Sequence, residues 1–229
     1  MAPDTHPTAL VVYYTFSQQT GRVANAVSEA LAANGYGVTT SAIEFTDSRW
    51  GKLFSELPMR LPALRIPTIL PAQRMRKTGE IRVPPEAERG DYDLVVIGSP
   101  TWWLTTNMPI RSYLKSSAAE RALSGKPFAA FSVSRRYWKG NMKDVRELGE
   151  TDGGTWLGET HFTAAGGQVT SMLSWLAYMK RGEPRAKILG LNMPPPNLKP
   201  DFEQQARSFV ERIAKPTADR NARTGAAGR

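Results

Sequence analysis

Short apolar runs alternate with amphipathic stretches along most of the chain. Ala9–Tyr14 (ALVVYY) is unbroken and rich in β-branched and aromatic residues, the pattern of a strand buried on both faces. Gly37–Ile43, Asp93–Gly98 (DLVVIG), Lys126–Ser134 (KPFAAFSVS) and the less regular Thr155–Phe162 predict four more strands. Between the first two, Val23, Ala26, Val27, Ala30 and Leu31 recur at helical spacing up to Asn34 and Gly35, which form a helix stop. Helical patterns also cover Pro109–Ser117, Asn141–Leu148, Gln168–Lys180 and Asp201–Ala214. Strands alternating with helices predict a parallel sheet with right-handed crossovers and helices on both faces, a doubly wound α/β fold. Ligands of such folds bind beyond the carboxyl ends of the strands, so the loops after Tyr14, Gly98 and Phe131 are where function is expected.

Three segments break the alternation. Residues 45–90 contain six prolines (58, 62, 67, 71, 84 and 85), which prevent one long helix, together with Arg60, Arg65, Arg74, Arg76, Lys77 and Arg82. They also carry Phe54, Leu57, Met59, Leu61, Leu64, Ile66, Ile69 and Leu70. This mixture suits a lid or a docking surface for an acidic protein, a partner subunit or a lipid headgroup region, and equally a padded loop covering the sheet edge. Residues 164–199 hold a helix with Met172, Trp175 and Met179, which reads as core or homodimer interface, and end in Pro194, Pro195 and Pro196. Residues 215–229 are polar, basic and rich in alanine and glycine, and are expected to be disordered. The expected organisation is one domain over residues 8–214, with insertions at 45–90 and 164–199 and a disordered basic tail at 215–229.

Composition narrows the chemistry. The chain has 229 residues and no cysteine, which rules out disulfides, thiol nucleophiles and cysteine-held zinc or iron–sulfur clusters. Redox chemistry would therefore need a bound organic cofactor. Only His6 and His161 supply imidazoles, so a histidine-rich metal site is not expected and a Ser-His-Asp hydrolase would have to rest on His161. A net charge of +9 attracts anions, whether phosphorylated cofactors, nucleic acid, acidic lipids or acidic proteins, and does not choose among them. The basic residues are dispersed and form no recognised nucleic-acid module, so nucleic acid is not an expected partner. No apolar run approaches the roughly 18 residues of a membrane helix, and residues 1–8 lack the features of a secretory signal, so a cytoplasmic location is expected.

Two loops carry candidate chemistry. Thr15-Phe16-Ser17-Gln18-Gln19-Thr20-Gly21 lies between a predicted strand and a helix start. Its hydroxyls, the free N–H groups of the first helical turn and the helix dipole would suit a phosphate; a polar loop with Ser17 or Thr20 as helix cap is the competing reading. Ser99-Pro100-Thr101-Trp102-Trp103 follows the third strand at the same sheet edge. A tryptophan displayed there would stack on a flat aromatic ligand, whereas core packing is the alternative for either indole.

At these residues the chain resembles the flavodoxin-like family of FMN proteins, over most of residues 10–214. YYTFSQQTGRVA looks like the family's phosphate loop, SPTWWLTTNMPIRSYL is similar to its second flavin loop, and GKPFAAFSVS resembles the strand leading into the third. Gln18 and Gln19 stand where Gly-Asn is usual. The resemblance implies a three-layer, five-stranded parallel sheet in the order 2-1-3-4-5. It also implies FMN held by Thr15, Phe16, Ser17, Gln18, Gln19 and Thr20, by Ser99, Pro100, Thr101, Trp102 and Trp103, and by Ser134, Arg135, Arg136 and Tyr137. Either Tyr137 or Trp138 would cover the second flavin face. Arg135 and Arg136 replace the acidic surroundings of electron-carrier flavodoxins and would favour an anionic reduced flavin. The implied activity is an FMN-dependent oxidoreductase that takes hydride from NADH or NADPH and passes electrons to a quinone-like or other small acceptor. An FMN electron-transfer module reduced by a partner reductase, or an accessory protein without FMN, are the alternatives. His161 is either a proton donor near this edge or a strand-end histidine with a structural hydrogen bond.

Overall fold

Five strands, β1 (Thr8–Tyr13), β2 (Gly37–Ala42), β3 (Leu94–Trp102), β4 (Pro127–Ser134) and β5 (Thr155–Thr163), pair in parallel in the order β2-β1-β3-β4-β5. The computed structural model describes residues 6–54, 57–164, 166–188, 190–194 and 198–227, with 215–227 as backbone only. Residues 1–5, Pro195, Pro196 and the last two residues of the expected tail lie outside the described residues.

Alternation along the central strand β1 explains the layers. Leu10 and Val12 face one side of the sheet, Ala9 and Val11 the other, and all four are fully buried. On the second side, α1 (Gln19–Ala33) and α6 (Phe202–Ala227) pack Val23, Val27, Leu31, Phe209 and Val210 against Ala9, Val11, Leu94 and Val96. On the first side, α2 (Met108–Tyr113), α3 (Ser117–Leu123) and α4 (Lys139–Thr151) bring Ile110, Leu123, Met142 and Val145 to Leu10, Val95 and Ile97. Each such aliphatic side chain contributes about 1.5–3 kcal/mol by leaving water. The doubly wound arrangement follows because the central strands β1, β3 and β4 are buried on both faces along most of their length.

Two helical expectations change. The single helix predicted over Pro109–Ser117 is divided into α2 and α3: Ser116 adopts an extended conformation and its Oγ donates to the Tyr113 carbonyl at 2.6 Å, competing with the helical backbone. At the other end, α6 continues to Ala227 where disorder is expected. Alanines 218, 222, 226 and 227 with Arg220 and Arg223 propagate a helix already begun by the packed segment before Ala214, despite the backbone donor lost at Pro216.

The 45–90 insertion leaves and rejoins the sheet through a short antiparallel ladder, Glu44–Phe45 with Ile81–Arg82. Between them the described residues make short turns of helix at Gly51–Leu53, Pro62–Arg65, Ile66–Ile69 and Leu70–Arg74. Phe45, Leu53, Phe54, Met59, Ile66 and Ile69 join the core, whereas Leu61, Leu64 and Met75 are exposed. After β5, α5 (Gln168–Arg181) is tied to the insertion by the Met59 N–H on the Met179 carbonyl, 2.7 Å. No described helix is long and apolar enough to cross a membrane.

Candidate functional site

All five strands end at one edge, and the loops after β1, β3 and β4 emerge there together. In the first loop, Gln18 adopts a left-handed conformation (φ 63°), and no side chain caps α1. Neither Ser17 nor Thr20 is the helix cap, and the first-turn N–H groups keep their partial positive charge. Gln18 takes the backbone conformation that glycine adopts freely at the family's usual Gly-Asn, and the residue is exposed. Thr20 is buried and Gln19 half-buried, with the Gln19 side-chain amide donating to the Ser17 carbonyl at 3.2 Å. Thr15 Oγ1 is buried with no hydrogen-bond partner.

The second loop is shorter than the sequence suggests. Ser99 to Trp102, expected as a turn, continue β3, and Thr101 and Trp102 pair antiparallel with Thr106 and Thr105. The turn is Trp103-Leu104, with φ of 44° and 73°, the positive values that a tight two-residue hairpin demands. Buried polar groups force this geometry. Asn107 caps α2 by accepting from the Ile110 N–H at 2.9 Å, and donates to Ser99 Oγ and the Pro100 carbonyl, each at 2.9 Å. Ser99 Oγ donates to Asn141 Oδ1 at 2.8 Å; Asn141 Nδ2 in turn donates to the Ser99 carbonyl, Thr101 Oγ1 and Ser132 Oγ. From the insertion, Gln73 Nε2 donates to the Trp102 and Thr106 carbonyls and to Thr105 Oγ1. Buried Arg111 donates to the Lys77 and Thr106 carbonyls and to Thr105 Oγ1; burial lowers its pKa, and nearby Asp144, itself paired with Arg76 at 3.0 Å, opposes that shift.

Ser99, Pro100 and Thr101 are thus occupied in shaping the loop. Trp102 is occupied too. Its ring lies 4.6 Å from Phe54, with Tyr14 at 5.7 Å and Phe45 at 6.3 Å edge-on, while Phe16 packs edge-on to Phe54 at 5.4 Å. Core packing accounts for this indole, and Trp103, half-buried at the hairpin turn, also packs against the core cluster. Tyr14 is wholly enclosed beneath the cluster, its hydroxyl donating to the Phe54 carbonyl at 2.9 Å, and burial pushes its pKa up.

In the third loop, Ser134 Oγ and Arg135 Nη1 are buried without partners. Arg136 is exposed, and Tyr137 is 56% exposed. Trp138 stacks on His161 at 4.1 Å with ring planes 8° apart. Burial first, then Lys199, lowers the pKa of His161, so the neutral ring is favoured in this stack. A place for His161 in the sheet-edge packing accounts for its position, and the stack holds Trp138, leaving Tyr137 as the aromatic side chain of this loop that faces solvent.

Helix α5 brings two further residues to the edge. The Tyr178 hydroxyl donates to the Ser17 carbonyl at 3.4 Å, and Arg135 lies over the Trp175 ring at 5.8 Å. The stripe Met172, Trp175, Met179 predicts a core or dimer face, and Met179 is indeed buried. The usable signal for Tyr178 and Trp175 is position: a helix beginning just after β5 starts at the ligand edge.

No family model matches the chain, and no curated protein matches it. Solved structures do. A flavoprotein in complex with FMN from Lactobacillus acidophilus NCFM is 20% identical with a TM-score of 0.51, covering 69% of this chain and 93% of that one. A flavodoxin from the domain Archaea is 13% identical with a TM-score of 0.51, covering 92% and 99%. A WrbA-like flavodoxin from Agrobacterium tumefaciens is 15% identical with a TM-score of 0.52, covering 93% and 98%. With the strand order β2-β1-β3-β4-β5, these likenesses identify the fold of this chain as flavodoxin-like.

Proposed function

We propose that the chain is an FMN-binding oxidoreductase that takes hydride from NADH or NADPH and delivers electrons to a quinone-like or other small acceptor. The observation that carries this reading is the pair of buried hydroxyls without partners, Thr15 Oγ1 and Ser134 Oγ, on the loops flanking the end of β3. Folded proteins pair nearly all such groups, so the pair marks a place where a polar ligand completes the bonding.

The residues present fit FMN there. Thr15, Ser17 and Thr20 and the uncapped first turn of α1 would hold the phosphate, with Gln18 supplying the backbone turn. Trp103, half-buried on the hairpin turn, is the aromatic residue at this edge that would shield the ring from water, while the rings of Trp102 and Trp138 pack on Phe54 and His161. When bound, FMN would supply the redox chemistry, accepting hydride from the nicotinamide and passing on the electron pair. The chain itself would bind, orient and desolvate, and no acid–base side chain is required.

A second reading is favoured by two contacts over the first loop. Tyr178 on Ser17 and Phe54 on Phe16 take up space at the ligand edge, as an accessory protein that keeps the fold without FMN would allow. The visible absorption spectrum of the purified protein, followed by anaerobic addition of NADH and NADPH, separates the readings. Yellow protein that bleaches with a nicotinamide is the expected result. Yellow protein that neither nicotinamide reduces indicates an electron-transfer module served by a partner reductase, and failure to bind added FMN indicates the accessory reading.

A further inference from the structure

A cavity of about 100 Å³ lies between the third loop and the start of α5, lined by Arg135, Arg136, Tyr137, Gly166, Gly167 and Ser171. Arg135 stands there without a counter-charge. Among the described residues it makes no ion pair, and its Nη1 is buried without a hydrogen-bond partner. The contact it does make is with the face of Trp175. Burial lowers its pKa, as expected of a cation that has lost water without gaining an anion.

Size selects the ligand group. The cavity has room for a phosphate group and is far below the roughly 300 Å³ or more of a site that encloses a whole cofactor. Position narrows it further. Helix α5 reaches the cavity at Ser171 and the first loop at Tyr178, two positions seven steps and about 10 Å apart along the helix. A phosphate seated on the α1 loop therefore does not fill the cavity. Tyr137, exposed at the cavity wall, offers a flat ring on which a base can stack.

We propose that Arg135 and this cavity bind the phosphate monoester of a nucleotide, and that the donor is NADPH rather than NADH, whose phosphates are both locked in the pyrophosphate link. The choice of donor rests on the oxidoreductase reading; phosphate binding at Arg135 does not.

The test is calorimetric titration of adenosine 2′-monophosphate, adenosine and inorganic phosphate into wild-type, Arg135→Gln and Arg135→Lys protein, each with and without added FMN. Thermal melts establish that the variants fold. Adenosine 2′-monophosphate is expected to bind more tightly than the other two ligands, to weaken about ten-fold or more in Arg135→Gln, and to recover partly in Arg135→Lys. Equal binding of the monophosphate and adenosine, or indifference to Arg135→Gln, overturns the proposal. Inorganic phosphate binding as tightly as the nucleotide overturns the nucleotide assignment. Anaerobic reduction by each nicotinamide separates this inference from the reading beneath it. Arg135-dependent nucleotide binding without reduction by either nicotinamide leaves the phosphate site standing and removes the reaction; equal reduction by both, unchanged in Arg135→Gln, does the reverse.

Discussion

The Tyr178 hydroxyl donates to the carbonyl oxygen of Ser17 at 3.4 Å, joining the helix after the last strand to the loop after the first. A bond of that length is weak, about 0.5–1 kcal/mol, yet it spans 161 residues of sequence and sits on the loop proposed to hold a phosphate. Tyr178→Phe should therefore cost little stability while loosening α5 over the loop. The expected outcome is faster FMN release, by up to about five-fold, with the melting temperature lowered by less than about 4 °C. Stopped-flow flavin fluorescence measures the first and a thermal melt the second; an unchanged release rate would show that Tyr178 does not gate the loop.

The five strands are legible in the sequence because burial on both faces demands unbroken apolar runs, and ALVVYY and DLVVIG satisfy that demand locally. The carboxyl edge follows from parallel topology, which is why the first and third loops can be located by reading alone. The extension of β3 through Trp102 is not legible in that way. It depends on Asn141, 42 residues beyond Ser99, and on Gln73, 29 residues before Trp102, and no local pattern announces partners at that range. The two adjacent tryptophans show the same limit. Opposite side-chain directions are a local property, but the fate of Trp102 is set by Phe54, whose place in the core depends on the path of a proline-rich insertion.

Gln18 tests how the first loop tolerates a side chain where glycine is usual. A left-handed residue other than glycine costs about 1–2 kcal/mol, and glycine returns part of that through its greater freedom in the unfolded chain. Gln18→Gly is expected to stabilise the protein by about 0.5–1 kcal/mol, because the exposed side chain gives up little packing. Gln18→Val should destabilise it by more than about 1 kcal/mol, since a β-branched residue is poorly accommodated at positive φ. Urea denaturation of both variants reads the two signs, and a stabilising valine would contradict the left-handed turn.

Gly140 is the counterpart test for the hairpin. A Cβ at this position, in the first turn of α4, would fall 2.2 Å from the Leu104 carbonyl oxygen, and backbone on both sides leaves no flexible atom to yield. Gly140→Ala should push the Trp103-Leu104 turn away from α4, at a cost of about 1–3 kcal/mol. Because Trp103 rides on that turn, FMN affinity should fall together with stability. Gly140→Ala protein with wild-type stability would place the hairpin elsewhere, whereas lost stability with unchanged FMN affinity would remove Trp103 from the proposed ring site.

Asp152 makes stability depend on pH in an unusual direction for a carboxylate. It caps the C-terminal end of α4, and burial, reinforced by the charge of Glu120, pushes its carboxyl up to about 6 from an ordinary 3.8. Its Oδ2 is buried with no hydrogen-bond partner, and the negative end of the helix dipole also opposes the charge. Because the folded pKa is raised, the folded state holds the proton more tightly than the unfolded one; this contribution is fully present below about pH 3.8 and is lost as pH rises through about 6. Asp152→Asn removes the charge that burial disfavours. At pH 8 it should stabilise the protein by about 1 kcal/mol, after discounting for the partly exposed site, or about 2–4 °C in melting temperature. The gain should shrink steadily between pH 6 and pH 4, as Asp152 in the wild type takes up its proton and matches the neutral amide. Melts of the two proteins across that range decide the matter: a gain that is the same at pH 4 and pH 8 would mean that packing, not ionisation, distinguishes Asn from Asp at this helix end.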